Sequence, residues 1–528
     1  MNSVKVLDVT LRDGGCVNDF NFGQPYMERI LAAQEAAGID IIEMGYIDEA
    51  KGSTSGRTQY LNEQVITQCL LKKKKEGVAY VAMMDYGKFN VDNLQPRTPD
   101  SIDGLRVAFH KKNMHDIIPL GRKIIEKGYM LFIQPMITLR YSDAELIEFI
   151  EMVNNELPDA SGFYIVDSFG EMRPNDMSRV LNLVDHNLIS SMTLGFHSHN
   201  NLQMSYSNAC ALLQFPTNRN IMLDCSIMGM GKGAGNLNTE LLLEHLNIYY
   251  GKHYNISPLL EVIDKVVNQL RSENYWGYAP EYYLSSAYHC TPSYASYFYN
   301  KHMLSIDQVG ELLGKIREDK KISFDKNYAE ELYVEHNAAI KVEDTSVVYE
   351  IKSAISEKQV LLVAPGKSLT QNVDLLKETV DNKNVFSIGL NVNSSFGLDL
   401  YFATKQELYT KLQELKVPIL TTSAVVKGAR GNVKVLNYEK WIDTEPAIDD
   451  SSLTITLNLL EACGAKDIKM IGFDGFSTNI NENYFSPALR RPVNEEQMTR
   501  RNERFKNKIQ SMREKGVKFT FLTPSKYE

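Results

Sequence analysis

The sequence predicts an α/β protein with an N-terminal (β/α)8 barrel, a helical extension and a C-terminal doubly wound α/β domain. Across the first 250 residues, short apolar runs alternate with amphipathic segments of helical period, the pattern of βαβ units in a parallel sheet. Polar residues follow many of these runs, and a second β/α rhythm begins near residue 345. We therefore expect a barrel domain at residues 1–250, an extension and linker at 251–344, and a second domain at 345–528.

The composition is that of a globular protein of two or three domains, because 528 residues exceed what one ordinary core holds. The formal net charge is −9 and no basic stripe is present, so we expect no nucleic-acid partner. Six scattered cysteines are typical of reduced thiols in a cytoplasmic protein. Neither a signal peptide nor an apolar run of about 18 residues is visible, so we expect no membrane partner.

Eight apolar runs are the predicted barrel strands. Eight βα units in about 250 residues match a closed barrel, whose functional groups collect at the carboxyl ends of the strands. An open doubly wound sheet is the alternative architecture, although no glycine-rich phosphate turn follows the first run. The predicted strands are residues 4–10, 40–44, 78–84, 105–109, 130–135, 163–168, 194–199 and 222–227.

Polar side chains stand where these predicted strands end, and a barrel would bring them to one rim. They are Arg12 and Asp13 after the first strand, Glu43 on the second, His110 after the fourth, Asp167 and Ser168 on the sixth, His197 and His199 on the seventh, and Asn236 after the eighth.

The two histidines of the seventh strand are two residues apart, so in an extended strand both project from the same face. Two neighbouring imidazoles can share one divalent cation and leave positions open for a substrate. Taken alone, the pair is also compatible with two polar residues at a solvated strand end.

Three motifs in this order resemble the DRE-TIM metallolyases, a superfamily that includes 3-hydroxy-3-methylglutaryl-CoA lyase and isopropylmalate synthase. They are T-L-R-D-G-G at 10–15, the H-S-H at 197–199, and G-M-G-K-G-A-G-N at 229–236 followed by Glu240. The resemblance covers roughly residues 1–310. It is closest to the 4-hydroxy-2-oxovalerate aldolase branch, because of V-D-S-F-G at 166–170 and the segment after the barrel.

This resemblance implies a metal site formed by Asp13, His197 and His199, with Asn236 as a further ligand or a support for the ligands. One carboxylate and two imidazoles suit Mn²⁺ or Mg²⁺, with Zn²⁺ as a further possibility. Arg12 would stabilise the enolate that forms when a bond beside a ketone breaks. A structural ion pair between Arg12 and Glu43 is compatible with this role.

Further site residues follow from the same resemblance. Ser168 would contact the substrate's carboxylate or carbonyl, although a strand-end serine can also serve local hydrogen bonding. Glu43 would orient Arg12 or a water on the metal. In the helical extension, Tyr282 is the candidate for the tyrosine that reaches the substrate. The other aromatic residues of 275–299 are expected to cap the barrel or contact a dimer mate.

One departure concerns the general base. The aldolase branch has a histidine shortly after its arginine–aspartate pair, whereas this chain reads G-G-C-V-N-D-F at 14–20. Cleavage of an aldol needs a group that removes the proton of the substrate hydroxyl. Hydroxide held by the metal, Cys16, Asp19 or a nearby tyrosine are the candidates, and Cys16 can equally be a small packed residue.

The second domain contains the run V-L-L-V-A-P-G-K-S-L at 360–369, a buried strand followed by a small-residue turn that lacks a Walker pattern. Together with I-G-F-D-G-F at 471–476, it resembles domains of bacterial surface-glycan synthesis, namely CMP-sialic-acid-dependent sialyltransferases and the pterin-diphosphokinase-like group. That resemblance implies a nucleotide or nucleotide-sugar site at Gly366, Lys367, Ser368 and Asp474. A regulatory or oligomerising module is the alternative.

We therefore expect a divalent-metal-dependent aldolase or lyase that acts beside the carbonyl of a 2-oxo acid such as pyruvate, similar to 4-hydroxy-2-oxovalerate aldolase, with a link to surface-glycan metabolism. The alternatives are a Claisen-type acyl-CoA-dependent synthase and an inert barrel that supports a nucleotide-binding domain. We also expect a homo-oligomer. A partner enzyme that processes an aldehyde product is implied by the aldolase resemblance.

Overall fold

The computed structural model describes residues 3–301, 304–338, 341–392, 396–426, 431–442, 452–477 and 495–528. It divides into two compact units, Met1–Ser293 and Tyr294–Glu528, which have separate hydrophobic cores. The domain boundaries expected at 250/251 and 344/345 stay predictions. Within the described ranges, no helix is long and apolar enough to cross a membrane.

The first unit contains a closed barrel of eight parallel strands, so the predicted (β/α)8 architecture is confirmed and the open-sheet alternative is wrong. Strands are paired in the order β1-β2-β4-β5-β6-β7-β8-β9, and β9 pairs back onto β1 from Val4–Ile221 to Asp8–Cys225. The two-residue strand β3 pairs only with β2. The strands are β1 Val4–Asp8, β2 Ile41–Ile47, β3 Gln59–Tyr60, β4 Ala79–Asp85, β5 Gly104–Phe109, β6 Met130–Pro135, β7 Gly162–Asp167, β8 Thr193–Ser198 and β9 Ile221–Cys225.

Helices follow most of the strands and cover the outside of the barrel. Helix α4 begins with a capping box in which the Ser142 hydroxyl accepts from the Glu145 amide and the Glu145 carboxylate accepts from the Ser142 amide. The helices are α1 Gln24–Ala37, α2 Glu63–Cys69, α3 Ile117–Glu126, α4 Asp143–Glu156, α5 Pro174–Asn187, α6 Ser205–Gln214 and α7 Thr239–Tyr250.

Helix α2 ends earlier than its hydrophobic period predicts. The amphipathic pattern of the sequence runs from Glu63 to Glu76 and predicts one helix over that range, but the helix ends at Cys69 and the four lysines 72–75 follow it in a bend. Adjacent ammonium groups repel one another along a helix, and here Lys72 and Lys74 pair instead with Glu28 and Asp103. The basic run is therefore part of a surface turn.

Successive residues of a barrel strand point alternately toward the surrounding helices and toward the barrel interior. In β5, Leu105 and Val107 belong to the large core between strands and helices, whereas Arg106 between them lies among groups from the barrel interior. A small apolar cluster fills part of that interior. Its buried members are Leu7, Val9, Ile41, Val81, Phe132, Tyr164, Val166 and Met222.

A helical extension covers part of the barrel's carboxyl-end rim. The predicted helix at 257–271 is present as α8 Ser257–Val262, a π-helical turn Ile263–Val267 and α9 Asn268–Glu273. The indole of Trp276 donates to the carbonyl of Met228, and α10 (Pro280–Ala287) docks through the Ser286 hydroxyl on the carbonyl of Phe169. Both acceptors belong to loops that follow barrel strands.

The second unit contains a seven-stranded parallel sheet in the order β14-β13-β12-β11-β10-β15-β16. Neighbouring residues of β10 belong to different hydrophobic clusters, Val360 and Leu362 to one and Leu361 and Val363 to another, so both faces of the sheet are covered. The predicted parallel α/β sheet is confirmed, and its doubly wound connectivity stays a prediction. The strands are β10 Gln359–Val363, β11 Val385–Leu390, β12 Leu400–Phe402, β13 Ile419–Thr422, β14 Val433–Leu436, β15 Asp467–Ile471 and β16 Lys518–Phe521.

Helices connect and flank the strands of this sheet. Most of the connections join two strands that are neighbours in the sheet and run parallel. The helix Pro292–Tyr299 spans the division between the two units. The remaining helices of the described residues are Ile306–Gly314, Lys326–Ala338, Thr345–Ala354, Ser368–Gln371, Val373–Val380, Gln406–Glu414, Tyr438–Trp441, Ser452–Cys463 and Glu495–Glu514.

Candidate metal centre

The loop after β1 carries the first candidate ligand. The Val9 carbonyl accepts from the amides of Arg12 and Asp13, and this tight turn places both side chains at the carboxyl end of the barrel. Asp13 is buried and precedes a short 3₁₀ turn, Gly14–Val17. Its side chain makes no cap hydrogen bond to that turn. Its position therefore leaves the carboxylate available to a ligand.

The two histidines of β8 face the same interior. His197 lies in the strand and His199 follows it directly, with ring centroids 5.4 Å apart and ring planes at 86°. Both side chains are buried. The Nδ1 atom of His199 lies 3.2 Å from the Lys232 carbonyl oxygen, and its Nε2 atom points to Asp13. The predicted same-face arrangement is present.

Asp13, His197 and His199 form a group whose ligand atoms all lie within 4.8 Å of one another. The Oδ2 atom of Asp13 is 3.7 Å from Nε2 of His199 and 4.0 Å from Nε2 of His197. This oxygen is buried and has no hydrogen-bond partner within the described part of the chain. A buried carboxylate oxygen facing two imidazole nitrogens fits a divalent cation, which would supply the missing partner.

Asn236 adjoins the same group. Its side-chain amide donates to the Met230 carbonyl, while its Oδ1 atom is buried without a partner among the residues described. A Cβ atom at Gly231 would lie 2.3 Å from Nδ2 of Asn236 and 3.2 Å from Oδ2 of Asp13. Glycine at 231 is therefore required for the close approach of the loop to both side chains.

The electrostatic environment holds these groups in their metal-binding forms. Burial raises the pKa of Asp13, but the neighbouring His199, Arg12 and His197 outweigh it and keep that pKa below its usual range. Burial lowers the pKa of His199 to about 4, although Asp13 opposes the shift. An ionised carboxylate and a neutral imidazole are the states that bind cations.

Arg12 lies beside the cluster and is nearly buried. Its Nε atom donates to Oε2 of Glu43 at 2.7 Å, and its Nη1 atom is 3.1 Å from Oδ1 of Asp13. Its Nη2 atom is buried and has no partner in the described residues. The predicted pairing of Arg12 with Glu43 is present, and among the described residues it leaves the Nη2 atom free to donate to a ligand.

Two buried charged residues of the barrel were not predicted to belong to the site. Asp224 on β9 has Oδ2 at 2.9 Å from Nδ1 of His197, and Arg106 on β5 contacts the same carboxylate and Glu43. Their sequence signal is one charge inside an otherwise apolar strand, in G-L-R-V-A-F and I-M-L-D-C. A charge at such a position needs a buried partner, and that requirement points to the interior of the barrel.

Two of the remaining predicted residues lie at the carboxyl end of barrel strands, and one of them contacts Asp13. Ser168 follows β7, and its hydroxyl oxygen accepts from the Ile137 amide at 3.0 Å. The Sγ atom of Cys16 lies 3.8 Å from Oδ1 of Asp13. Cys16 is exposed as a residue, but desolvation of its sulfur and the adjacent Asp13 charge raise the pKa of the thiol. The thiol therefore keeps its proton at neutral pH and is poorly suited to act as a base.

Two other predicted residues lie outside the barrel strands, Asp19 in the loop after β1 and Tyr282 on helix α10. Asp19 is exposed and pairs with Arg57 at 2.9 Å. Tyr282 lies on α10, where its carbonyl accepts from the Ser285 hydroxyl. The contact of Tyr282 with a substrate stays a prediction.

The residues of the second predicted site also lie together. Gly366, Lys367 and Ser368 follow β10, and Asp474 follows the neighbouring strand β15. The Ser368 amide donates to Oδ2 of Asp474 at 2.8 Å, and the Ser368 hydroxyl donates to the other carboxylate oxygen. At this point the strand order changes direction, since β11–β14 lie on one side of β10 and β15–β16 on the other.

The closed parallel barrel and the clustered ligands at its carboxyl-end rim define a (β/α)8-barrel protein with a candidate divalent-metal site. The family model described as HMGL-like matches residues 3–266, which is half of the chain. The chain therefore belongs to the HMGL-like family. The resemblance to metallolyases that the sequence motifs indicate is confirmed at this level.

Known relatives match the same part of the chain. A 4-hydroxy-2-oxovalerate aldolase of Shewanella halifaxensis is 25% identical over 276 residues, which are 50% of this chain and 77% of that protein. The enzyme of the same name from Pseudoalteromonas translucida is 28% identical over 273 residues, 50% of this chain and 76% of its own. Among solved structures, HMG-CoA lyase of Bacillus subtilis aligns with 14% identity and a TM-score of 0.42, covering 51% of this chain and 93% of its own. The family and these aldolases identify the chain as an enzyme of the carbon–carbon lyase class.

Proposed function

We propose that the barrel is a divalent-metal-dependent aldolase that forms or cleaves a carbon–carbon bond beside the carbonyl of a 2-oxo acid, through a pyruvate enolate. The observation that carries the proposal is the unpartnered Oδ2 atom of Asp13, which faces two imidazoles beside a guanidinium. The names of the aldolase relatives also support it.

Asp13, His197 and His199 would hold the cation, Asn236 would add an amide oxygen, and Mn²⁺ or Mg²⁺ are the proposed ions. When bound, the cation supplies Lewis acidity to the oxygens of the 2-oxo acid. The chain's own contribution is a dry and prearranged set of charges, which strengthens electrostatic stabilisation of a developing enolate.

Arg12 would donate from Nη2 to the oxygen on which the enolate charge develops. Glu43 and Asp13 hold the other two guanidinium nitrogens, so this edge is oriented before the substrate binds. Ser168 accepts from a backbone amide, so its own hydroxyl proton can be donated to the substrate carboxylate. Tyr282 would close the substrate pocket from the helical extension.

Exchange of the pyruvate methyl protons tests this proposal without knowledge of the aldehyde. The protein is incubated with pyruvate and Mg²⁺ or Mn²⁺ in D₂O, the metal is chelated, and the methyl signal is followed by proton NMR. Metal-dependent loss of the signal that His197→Ala abolishes is the expected result. Metal binding without any exchange would contradict enolate chemistry on pyruvate.

The acceptor can then be identified with a panel of hydroxy-oxo acids and sugar acids, by measuring pyruvate release. The Claisen-type alternative predicts instead that a 2-oxo acid is consumed only when an acyl-CoA is added. An inert barrel predicts no Mn²⁺ binding by calorimetry. The three outcomes are distinct.

For the second domain, taken as residues 345–528, we propose a doubly wound fold and a nucleotide or nucleotide-sugar site at Gly366, Lys367, Ser368 and Asp474. Ligands of such sheets bind where the strand order reverses, which supports the position. The proposed role is in surface-glycan metabolism. Calorimetry with CMP, comparing the wild type with Asp474→Ala, tests the site.

Domain roles, oligomeric state and a partner enzyme complete the proposal. We propose that residues 1–250 form the catalytic domain and 251–344 its extension and linker, in a cytoplasmic homo-oligomer that passes its aldehyde product to a partner enzyme. Size-exclusion chromatography with light scattering tests the oligomeric state.

A further inference from the structure

A continuous line of buried charges runs through the barrel interior from one side of the candidate metal centre to the other. The carboxylate of Asp224 lies 2.9 Å from Nδ1 of His197 and also contacts Nη2 of Arg106. The Nη1 atom of Arg106 is 2.9 Å from Oε1 of Glu43. The other oxygen of Glu43 holds Arg12, which in turn lies 3.1 Å from Asp13.

We propose that Arg106 is a positioning residue that couples the cation ligands to the substrate-binding guanidinium. It acts on His197 through Asp224 and on Arg12 through Glu43, and it touches neither the ligand atoms nor the substrate position. The inference rests on the proposed metal-dependent function.

Arg106 is fully buried, and its surroundings fix its plane. Its guanidinium carbon lies 4.9 Å from the centre of the Tyr164 ring. That ring occupies the space beside Gly195, where a Cβ atom would approach three ring atoms to 2.5 Å. A planar guanidinium with two donor edges can face two carboxylates at once, whereas a lysine ammonium is a single point charge.

One end of the line orients His197. The Nδ1 atom of His197 lies 2.9 Å from the Asp224 carboxylate without the angle of a hydrogen bond, and the attraction between a proton on Nδ1 and this carboxylate favours the tautomer whose Nε2 lone pair faces Asp13. The position of Asp224 depends on Arg106, because a buried carboxylate without a cationic partner is not tolerated in this form. Loss of Arg106 therefore disturbs the tautomer and tilt of His197.

The other end orients Arg12. Glu43 is fully buried between the two arginines: Oε2 accepts a hydrogen bond from Nε of Arg12, and Oε1 lies 2.9 Å from Nη1 of Arg106 in an ion pair without hydrogen-bond geometry. Without Arg106, the Glu43 carboxylate can turn toward Arg12 and alter the direction of its Nη2 atom. The effect on substrate binding therefore arises at a distance from the substrate.

The summed charge of the residues in this line suits a cation followed by an anionic substrate. Two guanidinium groups and three carboxylates (Asp13, Glu43, Asp224) carry a net charge of −1 when both histidines are neutral. A divalent cation changes this to +1, and one monoanionic 2-oxo acid neutralises it. Binding of the cation thereby prepares the interior for an anionic substrate.

Calorimetry on three variants tests the inference, with Mn²⁺ alone and then with pyruvate added to the Mn²⁺-loaded protein. We expect Asp224→Asn to weaken Mn²⁺ binding about 10-fold to 100-fold, the range for residues that orient metal ligands. Glu43→Gln should weaken pyruvate binding and leave Mn²⁺ binding within about threefold. Arg106→Lys should weaken both.

The coupling itself is measured in the double variant Asp224→Asn with Glu43→Gln. These two side chains are bridged by Arg106. We expect the fold-change in pyruvate affinity of the double variant to differ from the product of the two single fold-changes by about threefold or more. In the Arg106→Lys background, the fold-change of the double variant should equal that product.

Arg219→Lys is the matched control, since Arg219 is a buried arginine of the same barrel that pairs with Asp185 at 2.9 Å. It should leave both affinities unchanged even if it destabilises the fold. Equal Mn²⁺ and pyruvate affinities in Arg106→Lys and the wild type would overturn the inference. So would affinity losses that only follow the folded fraction measured by circular dichroism. A folded wild type that binds no Mn²⁺ would refute the proposed function and, with it, this inference.

Discussion

The Oδ2 atom of Asp13 lies 3.7 Å from Nε2 of His199, a separation too long for a hydrogen bond. Two atoms that each lie about 2.1 Å from one cation stand about 3 to 4 Å apart, so the distance is suited to shared coordination. The first and seventh strands of the barrel, β1 and β8, bring these residues together from distant parts of the chain.

Removal of one imidazole should therefore abolish cation binding. We expect His197→Ala and His199→Ala each to weaken Mn²⁺ binding by at least about 100-fold, because each removes one of the two imidazoles and leaves only one nitrogen ligand beside Asp13 and Asn236. Isothermal titration calorimetry gives the affinities. His245→Ala is the control, since His245 contacts Tyr206 on the outer helices. Wild-type affinity in His197→Ala would contradict the assignment.

The sequence was sufficient to predict the barrel and the grouping of Asp13, His197 and His199 at its rim. Alternating apolar and amphipathic segments predict the barrel. The period of two in a strand places His197 and His199 on one face. Asp13 is added by the resemblance of the T-L-R-D-G-G motif to the metallolyases. These features depend on local spacing and on motif order, and both can be read from the chain.

Arg106 and Asp224 could not be predicted in the same way. Each is a single charge in an apolar strand, and its partners belong to other strands of the barrel. Only closure of the barrel brings them together, so no spacing in the sequence reports the contact. The end of helix α2 at Cys69 could not be predicted either, and Lys74 beyond it pairs with Asp103, a residue distant in the sequence.

Substitution of Arg12 should lower the rate of the reaction more than it lowers the affinity for the cation. Arg12→Lys cannot reach Glu43, Asp13 and a substrate together, since an ammonium lacks the planar fork. We expect the rate of pyruvate methyl-proton exchange to fall about 100-fold to 1,000-fold, the usual loss when one preorganised donor is removed. Mn²⁺ affinity should change by less than about tenfold. Arg57→Lys, at the exposed Arg57–Asp19 pair, is the control, and unchanged exchange in Arg12→Lys would refute the role.

Gly231 should be needed for cation binding, because a Cβ atom at this position would collide with Asn236 beside the site. A Cβ atom would lie 2.3 Å from Nδ2 of Asn236, so Gly231→Ala must displace the amide or the loop. We expect weaker Mn²⁺ binding, by about tenfold or more, with an unchanged circular dichroism spectrum. Lys232→Ala in the same loop is the control and should leave binding equal or slightly tighter, because a nearby positive charge is removed. Unchanged affinity in Gly231→Ala would show that the loop relaxes freely.

The last prediction concerns pH and Asp167, the buried carboxyl at the end of β7. Burial, with Glu171 and Asp176 nearby, raises the pKa of Asp167 to about 7, above its ordinary value of 3.8, although the amides of Glu171 and Met172 oppose the shift. Between these two values the folded state binds the proton and the unfolded state does not. The stability that this group contributes is therefore fully present below pH 3.8 and is lost as the pH rises toward 7.

Comparison with Asp167→Asn isolates this effect, because the other titrating groups cancel in the difference. In a Trp441→Phe background, Trp276 is the remaining tryptophan and reports on the barrel unit. We expect the urea-unfolding free energy of the wild type, relative to the variant, to fall by up to about 1.4 kcal/mol per pH unit between pH 4 and 7. A flat difference would mean that Asp167 is ionised in the folded protein throughout this range. A rising difference would require its pKa to lie below that of the unfolded chain.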